Sequence, residues 1–327
     1  MTSLVAPARG AAPPGQGAPH RDRPTPARRR ARRLNLRSAL LFLSPWMLGF
    51  LIFTFWPIIY SGYLSLTDYD VINDPNFVGF DNYSQMMDDP KVALALGNTF
   101  FYTVLKVPAY MVLSLGLAIL LDHAGRASGF FRTIFFLPKM TPPVAVGVMF
   151  LLLFNGQTGL VNDALGAVGI NGPSWTTDPS WVKPGLVLMS LWTVGASVII
   201  LLAALRNVPK ELYESARIDG ANFWAQTRHV TIPLISPTIF FLVIVNTIGA
   251  LQSFDEAYTA FFGSGNTTYS NDAALFYVIY LFQQAFQFLH MGYASALAWL
   301  LFLVIMIITG IQFVVSRRLV HYEGEPK

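Results

Sequence analysis

The sequence predicts an all-α, polytopic membrane protein built as a bundle of six transmembrane helices. Hydrophobic residues make up 54% of the chain and charged residues only 12%, and the mean hydropathy is +0.48. This composition is too apolar, and too poor in charged residues, for an ordinary water-soluble domain. Apolar stretches long enough to cross the roughly 30 Å hydrocarbon core recur along the chain, and a helix satisfies its own backbone hydrogen bonds in lipid.

Six apolar stretches define the predicted spans and one membrane domain over residues 38–318. They cover residues 39–66, 93–121, 130–154, 182–205, 232–254 and 292–316. Pro57, Pro108, Pro142 and Pro143 lie inside these stretches or near their ends. Because prolines are tolerated in membrane helices, we expect them to mark kinks in the spans or entries to them, and not breaks. The first stretch is too long for a cleaved signal peptide and is expected to remain as a span.

Residues 1–37 are rich in Arg and Pro and are predicted to form a disordered cytoplasmic tail. Nine of the 22 basic residues precede Ser38, and Asp22 is the only acidic residue in this tail. Basic residues beside a first span are typical of a topology signal and of a contact with anionic membrane lipid. RNA binding is the less favoured alternative, so no nucleic-acid partner is expected.

The connecting segments predict the orientation of the chain. The segments after the second and fourth stretches and the C-terminal end are basic, whereas six aspartates lie between residues 68 and 89. The positive-inside rule therefore places both termini in the cytoplasm of a multi-pass plasma-membrane protein, with residues 319–327 as a short cytoplasmic tail. The outer segments, residues 77–89 and 156–178, are expected to be small caps with little fold of their own.

Two lysines lie at unusual depths for a charged side chain. Lys106 falls well inside the second stretch and Lys139 near the start of the third. A charge in hydrocarbon costs a few kcal/mol on insertion scales, so Lys106 is a candidate for a solute pathway. The alternatives are a snorkelling side chain or a lysine paired across a subunit interface, and Lys139 is close enough to the membrane surface to reach water.

Residues 205–237 connect the fourth and fifth stretches and are the candidate functional segment. Pro209 is suited to the start of a helix and Gly220 to a left-handed stop, which together predict a helix of about ten residues. A second helix is expected to begin near Asn222. The segment lies on the side that carries the basic residues.

The side chains of this short helix indicate that it docks against another surface. Leu212 and Ala216 share a face, Ser215 beside them is small, and Glu211 and Glu214 flank them. Small residues allow close approach to another surface, and a carboxylate can pair with a basic partner. A solvated elbow between two spans is the alternative, but it leaves the apolar and small face unexplained.

This segment closely resembles the EAA loop of ATP-binding-cassette (ABC) importer permeases, in the carbohydrate-uptake branch. The matching runs are Glu214-Ser215-Ala216, Asp219-Gly220-Ala221 and Ile232-Pro233-Leu234. Ser215 replaces the usual first alanine and keeps the residue small. The resemblance extends over most of residues 39–318, including the run from Phe77 to Tyr83, but it weakens at residues 263–267, where the family often has Gly-Gly-Pro.

The resemblance implies a type I ABC importer permease and the partners of such a protein. These are a second permease subunit, a cytoplasmic ATPase dimer, an extracellular solute-binding protein and a sugar. The residues that it assigns to ATPase coupling are Glu211, Glu214, Ser215, Ala216, Asp219 and Gly220. The sequence contains no Gly-x-x-x-x-Gly-Lys-Ser/Thr phosphate loop, so ATP and magnesium are expected to be bound by the partner ATPase and no cofactor by this chain.

A path for a sugar needs hydrogen-bonding groups and aromatic faces inside the spans. The candidates are Asn98, Trp192, Asn246, Gln252, Asp255 and Glu256. For each of them a polar contact that joins two helices is an equally good explanation.

Two rival classes of function are weighed against the permease. A secondary transporter would use Asp255, Glu256 or Lys106 as an ion relay, but it usually has paired repeats or broken spans, which the sequence does not indicate. A membrane enzyme needs a nucleophile motif or a metal cluster. The chain has no cysteine and five scattered histidines, so no catalytic residue and no metal site are expected.

Overall fold

The computed structural model describes residues 40–262 and 271–319. The predicted tail of residues 1–37, the loop at residues 263–267 and all but the first residue of the segment 319–327 lie outside the described residues. The chain divides into two compact units, Met1–Tyr60 and Ser61–Lys327. Most of helix α1, Leu40–Leu64, belongs to the first unit and includes a π-helical turn at Leu51–Phe55.

The second unit is composed almost entirely of helices in the residues that the structure describes. They are α2 (Asp81–Asp88), α3 (Pro90–His123), α4 (Ser128–Phe136), α5 (Pro143–Leu153), α6 (Leu160–Ala167), α7 (Pro179–Ser190), α8 (Gly195–Arg206), α9 (Lys210–Ile218), α10 (Phe223–Gln226), α11 (Ile232–Leu251), α12 (Asp255–Phe261), α13 (Asn271–Ala274), α14 (Tyr277–Phe282) and α15 (Met291–Leu319). Short 3-10 turns follow α3, α4 and α7, and π-helical turns lie at Thr227–Thr231 and Gln283–Gln287.

Four helical segments are long and apolar enough to cross a membrane, or six if each of two bent pairs forms one span. Those that each form one candidate span are Leu40–Leu64, Pro90–His123, Phe223–Phe261, which has a short break at residues 252–254, and Met291–Arg317. The bent pairs are Ser128–Met140 with Pro143–Leu153, at 95°, and Pro179–Thr193 with Gly195–Arg206, at 54°. All six predicted stretches are therefore helical, and the all-α membrane fold is confirmed.

The expectation that prolines mark kinks or entries, and not breaks, is wrong for the third span, and broken spans do occur. Thr141 and Pro142 are extended, with ψ angles of 129° and 137°. The residue before a proline is driven out of the α region, so the consecutive Pro142 and Pro143 act on both Thr141 and Pro142. Pro108, in contrast, lies inside the continuous helix α3 as expected.

Two outer segments that were expected to have little fold contain short helices, each fixed by the hydrogen bonds of one asparagine side chain. Strands β1 (Thr67–Asp68) and β2 (Asn76–Phe77) pair antiparallel. The Asn82 amide on α2 donates to the carbonyls of Ser65 and Thr67 at 3.0 and 2.9 Å. On α6, Asn162 donates to the Gly156 and Pro173 carbonyls and accepts from the Trp175 indole at 2.8 Å. Each cap is therefore a small ordered structure.

The buried side chains of the second unit form two clusters along α3. One contains Phe150, Phe261 and Tyr277 and lies toward the end of the bundle that carries α2. The other contains Val198 and Leu201 of α8 and lies toward the end that carries α9. We refer to these ends as the α2 side and the α9 side. Helix α3 contributes to both clusters and connects them.

Candidate functional site: the α9 segment and the intramembrane polar residues

Helix α9 is ended by a backbone motif that depends on Gly220. The helix begins at Lys210, so Pro209 is its cap residue and not part of its first turn. Gly220 has φ of +80°, and its amide donates to the Arg217 carbonyl at 3.0 Å while the Ala221 amide reaches Ala216 at 2.9 Å. A left-handed residue in this position reverses the chain and satisfies the last carbonyls. The predicted glycine stop is confirmed.

The chain restarts at once in α10, as predicted for the region of Asn222. The Asn222 side chain accepts a hydrogen bond from the Ala225 amide at 2.9 Å, which is the usual contact of an N-terminal cap. The Gln226 side-chain amide donates to the Ala221 carbonyl at 2.7 Å. The turn between α9 and α10 is thus fixed from both ends.

Helix α9 buries none of its residues within the described chain. Leu212 is 42% exposed and Ile218 87% exposed, and Trp224 of the adjoining α10 is 76% exposed. Glu211, Glu214, Ser215, Asp219 and Gly220 are exposed and Ala216 is half-buried. Helix α9 and α10 thus expose large apolar side chains next to charged ones.

Behind α9 lies a cavity of about 260 Å³ that separates it from the end of α3. Asp122 and His123 line it from α3, and Lys210, Tyr213 and Arg217 line it from α9. The Tyr213 hydroxyl crosses to Thr231, where the two side-chain oxygens are 3.0 Å apart. The sequence reasoning did not single out either residue, although an aromatic inside an otherwise exposed helix is a usable signal.

An ion pair joins three helix ends on the α9 side. Arg206 at the end of α8 lies 3.5 Å from the Asp122 carboxylate at the end of α3, and donates to the Ser128 hydroxyl of α4 at 3.0 Å. It is the one ion pair shorter than 4.0 Å among the described side chains. The sequence did not indicate this ion pair, because Asp122 is an isolated acidic residue beside segments whose charged residues are mostly basic.

Asn98, a candidate for the solute path, joins helices in this structure. Its amide nitrogen donates to the carbonyls of Asp272 and Leu275 at 2.8 and 3.1 Å, and its oxygen accepts from the Lys183 ammonium at 3.1 Å. Asn98 is only 7% exposed. These contacts are those of the alternative explanation, a polar side chain that holds α3 to α7 and to the α13 region.

Four of the other path candidates lie at breaks in the helices, and Asn246 lies inside α11. Trp192, 54% exposed, occupies the 3-10 turn between α7 and α8. Gln252, Asp255 and Glu256 lie at the break between α11 and α12, with Glu256 half-buried and the other two exposed. Asn246 donates to the Leu242 carbonyl of its own helix at 2.8 Å.

Lys106 lies on α3 beside an aromatic ring. Its ammonium is 5.1 Å from the centre of the Tyr102 ring, a cation–π distance, and no ion pair shorter than 4.0 Å joins it to the described residue Glu256. Lys139 is the last but one residue of the 3-10 turn Leu137–Met140 that follows α4. The structure therefore places Lys106 against Tyr102 and Lys139 beside the 95° bend.

On the α2 side a hydrogen-bond network centres on Asp89, which the sequence reasoning counted only as part of an acidic segment. Tyr280 and Tyr293 both donate to its carboxylate, Tyr293 at 2.8 Å. Gln284 donates to the Tyr280 hydroxyl at 2.8 Å, and its own oxygen lies 2.9 Å from His290 Nδ1. The network ties the starts of α3 and α15 to α14.

A helical membrane bundle with a capped, exposed helix between its fourth and fifth spans defines the class of membrane transport subunits. The chain belongs to the family described as the binding-protein-dependent transport system inner membrane component, whose model matches residues 111–321. The resemblance to ABC importer permeases that the sequence indicated is thereby confirmed. The protein is a multi-pass membrane permease and not an enzyme. Membership of this family replaces both alternatives, the secondary transporter and the membrane enzyme.

Relatives and solved structures agree with this family. The chain is 38% identical to a probable ABC transporter permease protein of Bacillus subtilis, over 87% of this chain and 92% of that protein. It is 34% identical to the lactose transport system permease protein of Rhizobium radiobacter, over 85% and 93%. Among solved structures it is similar to a bacterial ABC transporter involved in the import of the acidic polysaccharide alginate, with a TM-score of 0.76, 25% identity and coverage of 88% of this chain and 99% of that one.

Proposed function

We propose that this chain is the permease subunit of an ABC importer that carries a sugar or a related solute delivered by an extracellular binding protein. We propose further that residues 205–237 couple it to a separate ATPase. The observation that carries the proposal is α9, a helix that buries none of its residues, is stopped by a left-handed Gly220 and presents Leu212 and Ile218 at its surface. A helix held in this way is suited to dock into a partner.

The solute class is supported by the relatives. The lactose permease and the alginate importer both handle saccharides, and an arabinooligosaccharide permease of Bacillus subtilis is 31% identical over 84% of this chain. Polar groups at the break between α11 and α12, which are Gln252, Asp255 and Glu256, are suited to sugar hydroxyls. We keep Trp192 and Asn246 as path candidates and regard Asn98 as the weakest of the set.

The orientation follows from charge. The α9 side carries Lys210, Arg217 and Arg228, and the α2 side carries Asp81, Asp88 and Asp89. By the positive-inside rule the α9 side faces the cytoplasm and meets the ATPase dimer, and the α2 side faces the binding protein. The second permease subunit and membrane lipid then cover the apolar flanks, and ATP and magnesium bind to the ATPase.

The coupling role is tested at Glu214 and Gly220 in the full transporter. Glu214→Lys places a repelling charge on the docking surface, and Gly220→Val forces a β-branched residue into a left-handed conformation that costs about 1–2 kcal/mol. Both variants are expected to lose ATPase co-purification and solute uptake while the chain still inserts into the membrane. The measurements are pull-down of the ATPase and uptake into proteoliposomes.

Each variant has a matched control. Asp163→Lys makes the same charge change on α6, on the opposite side, and is expected to retain the ATPase. Gly220→Asn keeps a residue that tolerates the left-handed region and is expected to retain most of the coupling. Normal ATPase co-purification together with normal uptake in both Glu214→Lys and Gly220→Val would contradict the docking role.

A further inference from the structure

Tyr213 connects the exposed helix α9 to the interior of the bundle. Its half-buried ring packs against the α9-side core, and its hydroxyl lies 3.0 Å from Oγ1 of Thr231, which is only 5% exposed. The Thr231 hydroxyl in turn donates to the Gln226 carbonyl at 3.4 Å. Either hydroxyl can be the donor in the bond between Tyr213 and Thr231.

Thr231 lies in an unusual stretch of helix. It is the last residue of the π-helical turn Thr227–Thr231, which connects α10 to α11. π-helical turns inside α-helices are often found at functional sites. The Gln226 contact to Ala221 at 2.7 Å fixes the turn that follows α9, whereas the contact of Tyr213 with Thr231 comes from α9 itself.

In the part of the chain that the structure describes, no side-chain hydrogen bond or ion pair joins α9 to α3 of the second span. A cavity of about 260 Å³ lies among α9, the end of α3 and the start of the Phe223–Phe261 helix, and it is lined by Asp122 and His123, by Glu214 and Arg217, and by Phe223, Thr227 and Thr231. The hydrogen bond between Tyr213 and Thr231 therefore joins α9 to the fifth-span helix at the border of this cavity. The edge of the His123 ring meets Phe223 at 5.7 Å between ring centres, which joins α3 to α10 and not to α9.

We propose that the Tyr213–Thr231 hydrogen bond is the link through which movement of α9 is passed to the fifth span. Tyr213 and Thr231 are then positioning residues that set how much solute moves per ATP hydrolysed. Because the described side chains of α9 form a hydrogen bond with the Phe223–Phe261 helix and none with α3, motion of α9 is passed to the Phe223–Phe261 helix. This inference rests on the proposed function.

The test uses the complete transporter, with its partner permease, ATPase and binding protein, reconstituted in proteoliposomes. Tyr213→Phe and Thr231→Val each remove the bond, and we expect about three- to tenfold less solute taken up per ATP hydrolysed, the range that one lost hydrogen bond permits. ATPase co-purification is expected to stay normal. Thr231→Ser keeps the hydroxyl and is expected to restore the ratio, and the double variant is expected to be no worse than either single one.

Tyr83→Phe is the matched control, since it removes a tyrosine hydroxyl that donates to Ser65 at 2.9 Å on the α2 side, and it is expected to leave the ratio unchanged. An unchanged ratio in Tyr213→Phe and Thr231→Val, or loss of the ATPase in both, would overturn the inference while leaving the proposed function standing. A wild-type transporter without ATP-driven uptake would overturn the proposed function itself.

Discussion

At the scale of single residues, Gly195 determines how closely the third and fourth spans approach each other. It begins α8 at the 54° bend, and a Cβ placed there would lie 2.0 Å from the Phe135 carbonyl oxygen of α4. No side chain fits at that distance. Small residues are common where membrane helices meet. In lipid the hydrophobic effect does not favour helix association, so the helices associate through close van der Waals packing of their backbones.

Gly195→Ala is therefore expected to destabilise the protein by about 1–3 kcal/mol, the usual cost of overpacking a tight contact. The measurement is the free energy of unfolding in mixed detergent micelles. Gly97→Ala is the matched control, since a Cβ at that helical position meets nothing within 4 Å. There the better helix propensity of alanine is expected to give no loss or a gain of up to about 1 kcal/mol. Equal stability of the two variants would contradict the close contact.

Asn98 illustrates what a single sequence does not contain at this scale. A polar residue within a span was predicted to lie on a solute path or to join helices, and hydropathy does not separate the two. The acceptors of its amide are the carbonyls of Asp272 and Leu275, which are 174 and 177 residues away. Only the packing of α3 against α13 brings them together.

At the scale of elements, Arg206 holds together the α9-side ends of α3, α4 and α8. Its contacts are Asp122 at 3.5 Å and the Ser128 hydroxyl at 3.0 Å, and the two charged side chains are 43% and 39% exposed. Exposed pairs contribute about 0–1 kcal/mol, and salt screens them. The pair thus fixes the relative position of three helix ends more than it stabilises the fold.

A double-mutant cycle with Arg206→Met and Asp122→Asn is expected to give a coupling energy of about 0.2–1 kcal/mol. The coupling should shrink when the ionic strength is raised from about 0.15 to 1 M, because the Debye length falls from about 8 to 3 Å. Unfolding in mixed micelles at the two salt concentrations measures it. A coupling energy above about 3 kcal/mol, or one that does not change with ionic strength, would contradict this prediction and would show that the ion pair is buried.

The elements themselves were predictable to different degrees. The six apolar stretches and the α9 helix follow from hydropathy, Pro209 and Gly220, which are local signals. The position of the break in the third span also has a local signal, the consecutive Pro142 and Pro143, but its 95° angle does not follow from the sequence. Its angle also depends on α12, whose Glu256 carbonyl lies 2.9 Å from where a Cβ of Gly147 on α5 would be. That contact joins residues far apart in the chain.

At the scale of the whole molecule, the α2 side is tied together by one carboxylate. The Asp89 carboxylate caps α3 by accepting a hydrogen bond from the Lys91 amide. It also accepts hydrogen bonds from the hydroxyls of Tyr280 on α14 and Tyr293 on α15. Burial alone would raise the pKa of Asp89, but the hydrogen bonds from Tyr280, from the Lys91 amide and from Tyr293 outweigh it and lower the pKa. The charged form is thus the one the fold stabilises.

The stability that Asp89 contributes should therefore depend on pH in one direction. Because its pKa is lower in the folded protein than the value of about 3.9 in an unfolded chain, the contribution is complete above that value. It is lost as the pH falls through the lowered pKa. Asp89→Asn is expected to destabilise the protein by about 1–2 kcal/mol near pH 7, since hydrogen bonds to a charged acceptor are the stronger ones. The difference from wild type should narrow below about pH 4.

Asp88→Asn provides the control for that measurement, because Asp88 is the exposed last residue of α2 and the substitution is the same. It is expected to leave the midpoint of thermal unfolding unchanged across the pH range. Tyr293→Phe removes one donor, and in that variant the Asp89→Asn substitution should cost less than in wild type, since the two residues share a bond. If Asp89→Asn were instead as stable as wild type at pH 7 and less stable only in acid, the carboxylate would be protonated in the fold, and the network would hold the α2 side together as neutral groups.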